Sequence, residues 1–343
     1  MKSIWQKLIK IFRLAPENWS ISEGDETEGP YEHSTSILDL AWAKDDSYLA
    51  LAGGGCLPVA DGSVRIIDPL TKRNIKTLNA HVCGVHALSI DPSTGILASA
   101  SFDYAAHLWD LDEEDIIFLR GEDDKCKGFC EFSPQGSLLA IGEYDYYEGP
   151  HSFYIYSMSR QKNVFEYALP HGLGVRAMSI SRDGNYLAVA ARDQAEQQST
   201  HLYLVQISSL ELVKEHILDE AIGFYDLIFT GKGMEIVGLC SGDEFEAVLQ
   251  RIDAHTGTLL GTIPVGGIGG ALALSPTEDE LAVGNQERNI TIYSIDSWSV
   301  LRTHPACPEE SGSLCSLAYS RDGKQLAYGL SSGIFNIIPK HEP

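Results

Sequence analysis

Seven copies of one short pattern run down this chain, and that repetition restricts the fold more than any other feature. Each copy has an apolar run, a turn rich in Asp, Gly, Ser or Pro, and then a bulky apolar residue followed by a small one. The bulky–small pair reads Leu49-Ala50, Leu97-Ala98, Leu139-Ala140, Leu187-Ala188, Ile236-Val237, Leu281-Ala282 and Leu326-Ala327. Successive copies lie roughly 42–49 residues apart, a period that marks a repeat architecture. Four short strands per repeat mark a propeller blade. Length alone suggests two ordinary domains. A blade, however, is stable only against its neighbours, so the repeats predict one closed ring instead.

The first strand of each blade is expected at Ile37–Trp42, Val85–Ile90, 128–132, 175–180, Phe224–Phe229, 271–274 and Leu314–Tyr319. Turns such as Lys44-Asp45-Asp46, Pro134-Gln135-Gly136 and Arg321-Asp322-Gly323 follow, with the residue types a tight hairpin needs. The second strand then alternates large and small, which suits blades stacked face to face. After 334–338 no room remains for a fourth strand in the last repeat, so residues before 37 are expected to complete it. Trp19-Ser20-Ile21-Ser22 is the strand-like piece available. The resulting fold class is all-β: a seven-bladed propeller of four-stranded blades over residues 17–343. An N-terminal strand closes it, and a short amphipathic helix within residues 1–16 precedes it.

The second copy carries Leu108-Trp109-Asp110 at the end of its third strand, and His81 lies four residues before Val85. With these residues the chain resembles the WD40-repeat family, over roughly residues 33–343. The resemblance implies a hydrogen-bonded structural tetrad at His81, Ser99, Asp103 and Trp109. His33 and His171 precede Ile37 and Val175 by the same interval. The other copies put Ile67, Tyr156, Val205, Ile252, Tyr293 and Ile337 at the Trp position, so those blades rely more on apolar packing.

The formal net charge is −23, with 48 acidic against 25 basic residues. Such a surface repels nucleic acid and anionic membrane and favours basic partners. Seven cysteines, with Cys126 and Cys130 four apart, match no zinc spacing, and an odd number opposes a full disulfide framework. Reduced thiols in a cytoplasmic setting are the expectation. No apolar stretch is long enough to span a bilayer. Lys2, Lys7, Lys10 and Arg13 alternate with Ile4, Trp5, Leu8, Ile11, Phe12 and Leu14, one helical stripe with basic flanks. Three surfaces suit it: a partner, this protein's own acidic surface, or an anionic membrane contacted peripherally through residues 2–14.

Loops that outgrow their repeat tend to carry function. Here they are 53–62, 143–151, 192–201 and 243–246, all between second and third strands. The resemblance implies that this edge, with the loops entering each blade, is the face where partners bind. Glu143, Tyr144, Asp145, Tyr146, Tyr147 and Glu148 set aromatic rings among carboxylates, a pattern suited to Arg and Lys side chains. Asp193, Asp243, Glu244 and Phe245 join them as candidate partner-binding residues. No catalytic or phosphate-binding motif is found, and no cofactor or metal is implied. Gly266-Gly267-Ile268-Gly269-Gly270 enters a strand, not a helix, and reads as an entry turn. The expected function is a non-enzymatic scaffold whose acidic face binds a basic peptide or protein. Two alternatives stand beside it. One is an acidic inhibitor or immunity-like protein that blocks a basic nucleic-acid-binding enzyme or toxin. The other is a propeller enzyme with a metal or cofactor in its channel, using His151, His201 and His304 with Asp145 or Asp193.

Overall fold

A computed structural model describes residues 19–23, 35–54, 62–120, 125–144, 151–193, 200–218, 223–231, 233–241, 246–306 and 312–340. The amphipathic stripe in residues 1–14 lies outside them. The described residues form seven antiparallel sheets in chain order, each an up-and-down meander. They are arranged as a seven-bladed propeller without helices.

The innermost strands are Ile37–Trp42, Val85–Ile90, Lys127–Phe132, Leu173–Ile180, Phe224–Phe229, Gly269–Leu274 and Leu314–Tyr319. Each packs on the next, and the seventh packs on the first. Every one of them carries a bulge at its second repeat position. The bulge turns that residue out of the ladder near the upper edge, defined here as the edge holding the connections between second and third strands.

The core is divided into seven layers, each between two blades. The bulky–small pairs explain the division. Leu49 and Leu51 face the seventh blade, while Ala50 and Ala52 face the second. Leu187 and Val189 face the third blade, while Ala188 and Ala190 leave room for Phe224 and Phe229 of the fifth. Period-two alternation thus puts volume on one flank and space on the other; blade five departs, with Ile236 toward blade four and Val237 and Leu239 toward blade six.

Side chains of the inner strands also hydrogen-bond the backbone of the next blade. Leu88 N–H donates to Asp39 (2.7 Å), Phe132 N–H to Ser89 (2.9 Å) and Ile180 N–H to Glu131 (3.0 Å). Phe229 N–H donates to Ser179 (3.2 Å) and Leu272 N–H to Asp226 (2.8 Å).

The closure expected from the sequence needs correction. Ser20–Glu23 does not complete the last blade. It pairs antiparallel with Asn74–Asn79, with Ser20 opposite Asn79, and adds a fifth strand to the first blade. Trp19 and Ile21 alternate onto one flank and pack on the layer between blades one and two. Among the described residues the last sheet has three strands. The seam is held by packing of the innermost strands and by Trp42 Nε1–H donating to Ala318 O (3.0 Å). Arg321 N–H and Asp322 N–H donate to Asp46 (2.6 and 2.9 Å). Lys340, buried at the end of the last strand, pairs with Asp279 at 3.0 Å and ties that strand to blade six.

Candidate functional site

The upper edge of blade two carries a closed polar chain. Trp109 Nε1–H donates to Ser99 Oγ (2.9 Å), Ser99 O–H to His81 Nε2 (2.8 Å), and His81 Nδ1–H to Asp103 (2.9 Å). Val82 and Ala105 N–H complete the Asp103 carboxylate. Burial alone would raise the Asp103 carboxyl, but the hydrogen bond from His81 and those from the two backbone N–H groups outweigh it and hold the group below its ordinary value. His107 stacks on His81 with centroids 3.8 Å apart. The set fixes the turn into blade two and the hairpin after its second strand, and so shapes the upper face. His171, at the corresponding interval before Val175, is exposed instead, and His33 lies outside the described residues.

Beside this chain the upper face carries an aromatic stack across three blades. His86, the bulged residue of blade two, stacks on Phe102 (3.5 Å between centroids). Phe102 stacks on Tyr144 (5.1 Å), and the Arg176 guanidinium lies 4.7 Å from the Tyr144 ring centre. Burial pushes the His86 imidazole down to about 4, so it stacks as a neutral ring.

These contacts change the parts assigned to two sequence candidates. The Tyr144 ring, expected to receive a partner's cation, is already engaged by Phe102 and by Arg176 of the same chain. Glu143, expected on the surface, is 4% exposed, and two lysines converge on it. Lys127 Nζ reaches its Oε1 at 2.5 Å, Lys125 Nζ its Oε2 at 3.6 Å, and Ser152 N–H donates to Oε2 (2.8 Å). Glu143 anchors the hairpin instead of presenting a charge. Asp193 ends the second strand of blade four at the same edge. Asp145, Tyr146, Tyr147, Glu148, Asp243, Glu244 and Phe245 lie outside the described residues.

The central channel opens at this face. Its wall is built from all seven innermost strands and encloses about 320 Å³. Three carboxylates line it: Asp39, Glu131 and Asp226. Enclosure in the ring is the main cause that pushes them up, to about 7, about 8 and about 6, against the pull of their backbone N–H donors. The charge of Asp226 adds to the rise at both Asp39 and Glu131. Sequence reasoning passed over these groups. Their signal was a lone acid inside an apolar inner strand, as in ILDLAW and FYDLIF.

Two histidines of the channel-metal alternative lie away from the channel. His201 lies on a third strand, 3.3 Å from Glu215 of the outer strand, and His304 lies on the outermost strand Val300–Pro305. Outer strands do not face the channel. Among the described residues no three His, Cys, Asp or Glu side chains lie close enough to hold a metal ion. The Gly266–Gly270 run is a turn with Gly266 and Gly267 at positive φ, leading into strand Gly269–Leu274. Among the described residues, no helix is long and apolar enough to cross a membrane.

The family model described as "WD domain, G-beta repeat" matches residues 28–68 and 72–110, which include the whole His81–Trp109 chain. Residues 28–110 carry WD40 repeats, and the ring they belong to is a seven-bladed propeller. Its copies other than the second are degenerate at the Trp position. The chain is 25% identical to WD repeat-containing protein 1 of Gallus gallus, over 86% of this chain and 52% of that protein. It is 25% identical to pre-mRNA-processing factor 19 homolog 2 of Arabidopsis thaliana, over 77% of this chain and 47% of that one. An 81-residue stretch is 32% identical to protein HIR1 of Cryptococcus neoformans, covering 24% of this chain and 8% of that protein. The chain therefore spans about half, or less, of the curated relatives it matches. Among solved structures it is similar to hydrazine synthase of Kuenenia stuttgartiensis. The TM-score is 0.75 at 16% identity, over 92% of this chain and 98% of that one. At that identity the likeness concerns the fold alone.

Proposed function

We propose that this propeller is a non-enzymatic interaction scaffold whose upper face binds a basic peptide or protein. The observation that carries the reading is the sorting of charge between the two edges. Connections at the upper edge contain Asp61, Asp145, Glu148, Asp219, Glu220, Asp243, Glu244, Glu309 and Glu310, but only Lys125 and Arg288 as cations. Lys125 is itself paired with Glu143. Connections at the opposite edge hold twelve carboxylates, Asp45, Asp112 and Glu113 among them, but eight cations offset most of that charge: Lys44, Lys72, Arg73, Arg160, Arg182, Lys232, Arg321 and Lys324. A net charge of −23 thus becomes a directional field that draws cations to one end of the ring. A reducing, cytoplasmic setting, in which cysteines stay as thiols, completes the reading.

The test is affinity capture from native lysate with the intact chain, beside a variant carrying Asp145→Asn, Tyr146→Ala and Glu148→Gln. A basic partner, released by salt and lost with the variant, supports the reading. A partner captured equally by both proteins in high salt rejects it.

A further inference from the structure

The upper edge carries an aromatic ring that already holds a cation of its own chain. Tyr144 follows directly on the second strand of blade three, and its N–H donates to Cys126 O (3.0 Å), which fixes where the ring begins. Gly128 leaves the side chain its place, since a Cβ there would lie 2.8 Å from Tyr144 Cβ. Phe102, itself stacked on His86, supports the ring from blade two, with centroids 5.1 Å apart. Phe129 of blade three lies 6.4 Å away. Arg176 reaches the ring from blade four, its guanidinium carbon 4.7 Å from the ring centre.

A backbone irregularity brings Arg176 there. Val175 pairs with Ala191 and Ala177 with Ala190, so Arg176 is the bulged residue between them, outside the ladder. The two partners are held differently. The ring is wedged among aromatic neighbours and over a glycine, whereas the guanidinium rides at the end of a side chain with many rotamers. Tyr144 and Arg176 are both half-buried, so a ligand at the upper face reaches the pair.

We infer that the Tyr144 ring is the seat for an arginine side chain of the basic partner, and that Arg176 keeps the seat in the partner's absence. The inference rests on the proposed scaffold role and names the side chain this face selects. The ring stays and the cation exchanges. An arginine from outside replaces like with like, because a planar guanidinium stacks on a ring face where a compact, strongly hydrated ammonium does so less well. The exchange leaves the number of cation–ring contacts unchanged. Its driving force is the attraction between the acidic upper connections and the partner's remaining basic side chains. Arg176 thus sets a threshold: a lone cation gains little by displacing it, and a segment carrying several gains enough.

The test uses two labelled peptides of equal charge, one basic through arginine and the other through lysine. Each is titrated by anisotropy with the intact chain, with Arg176→Gln, with Tyr144→Leu and with the double variant. Arg176→Gln should tighten the arginine peptide about threefold to fivefold, the release expected when a cation–ring contact of this kind no longer competes. In the Tyr144→Leu background the same substitution should do less, because only its charge is left to act. The wild type should prefer the arginine peptide, and Tyr144→Leu should narrow that preference. A second measurement needs no variant: the ring-current shift of the Arg176 side-chain protons in NMR spectra should vanish as the arginine peptide saturates the wild type. An equal gain with and without the ring, equal affinity for the two peptides, or a ring-current shift that persists at saturation overturns the inference and leaves the acidic face standing. Binding of neither peptide to the wild type overturns the scaffold role and this inference with it.

Discussion

Glu131→Gln isolates the cost of placing a carboxylate in the channel wall. The substitution keeps a carbonyl oxygen to accept from Ile180 N–H, a bond of 3.0 Å in the wild type, and removes the ionisation. Enclosure, and then the charge of Asp226, push the Glu131 carboxyl from 4.5 to about 8. The folded protein therefore holds a proton that the unfolded chain releases. Its contribution to stability is full below about 4.5 and is lost as pH rises through 8. At about 1.4 kcal/mol per pH unit the interval corresponds to about 5 kcal/mol. Water admitted to the channel screens part of that, and a realised effect of roughly 2–4 kcal/mol is expected. Urea unfolding, followed by tryptophan fluorescence at several pH values, reads it directly. At about pH 4 to 4.5 the wild type and Glu131→Gln should differ by less than about 1 kcal/mol, and the gap should widen steadily above that. At about pH 9 the variant should be the more stable by the full effect. Some pH dependence remains in the variant, because Asp39 and Asp226 titrate near 7 and 6. A constant difference across the range, or a variant less stable at about pH 9, would refute the reasoning.

Three further outcomes follow from named contacts. Ser99→Ala removes the hydroxyl that joins His81 to Trp109, leaving two buried groups unpaired, and should cost about 1–3 kcal/mol in chemical denaturation. Glu143→Gln leaves Lys127, fully buried, without its counter-ion and should destabilise by about 3–5 kcal/mol, whereas Glu143→Leu with Lys127→Met should recover most of that loss. Trp42→Phe removes the indole bond to Ala318 across the seam between the first and last blades and should cost about 1–2 kcal/mol, read as a lower thermal midpoint.

The blades were legible because each inner strand is a short apolar run bounded by turn residues, and that signal is local. The expected starts at 128, 175 and 271 fall one or two residues inside Lys127, Leu173 and Gly269. At 128 and 271 the bulge explains the shortfall, since it lets pairing continue past a residue that breaks the apolar pattern, Gly128 or Gly270. The strand at Ser20–Glu23 was legible as a strand but not in its partner. Four residues specify alternation, and the edge they join is chosen by Trp19 and Ile21 finding a layer to pack on. The Asp103 tetrad was legible by resemblance, because its members recur at fixed spacing. The burial of Glu143 and the hold of Arg176 on Tyr144 were not. Both depend on which residues two strands bring together, and neither Lys127 nor Arg176 reveals its orientation in sequence.

The account's central claim is that the upper edge, and not the lower, attracts cationic partners. The direct measurement is fluorescence anisotropy of a labelled lysine- and arginine-rich peptide titrated with the intact chain at stepped salt. Two sets of substitutions are compared: Asp219→Asn, Glu220→Gln, Asp243→Asn and Glu244→Gln above, and Asp45→Asn, Asp112→Asn and Glu113→Gln below. The account predicts salt-sensitive binding that the upper set weakens about tenfold or more and the lower set leaves nearly unchanged. Equal losses from both sets, or binding indifferent to salt, would contradict it.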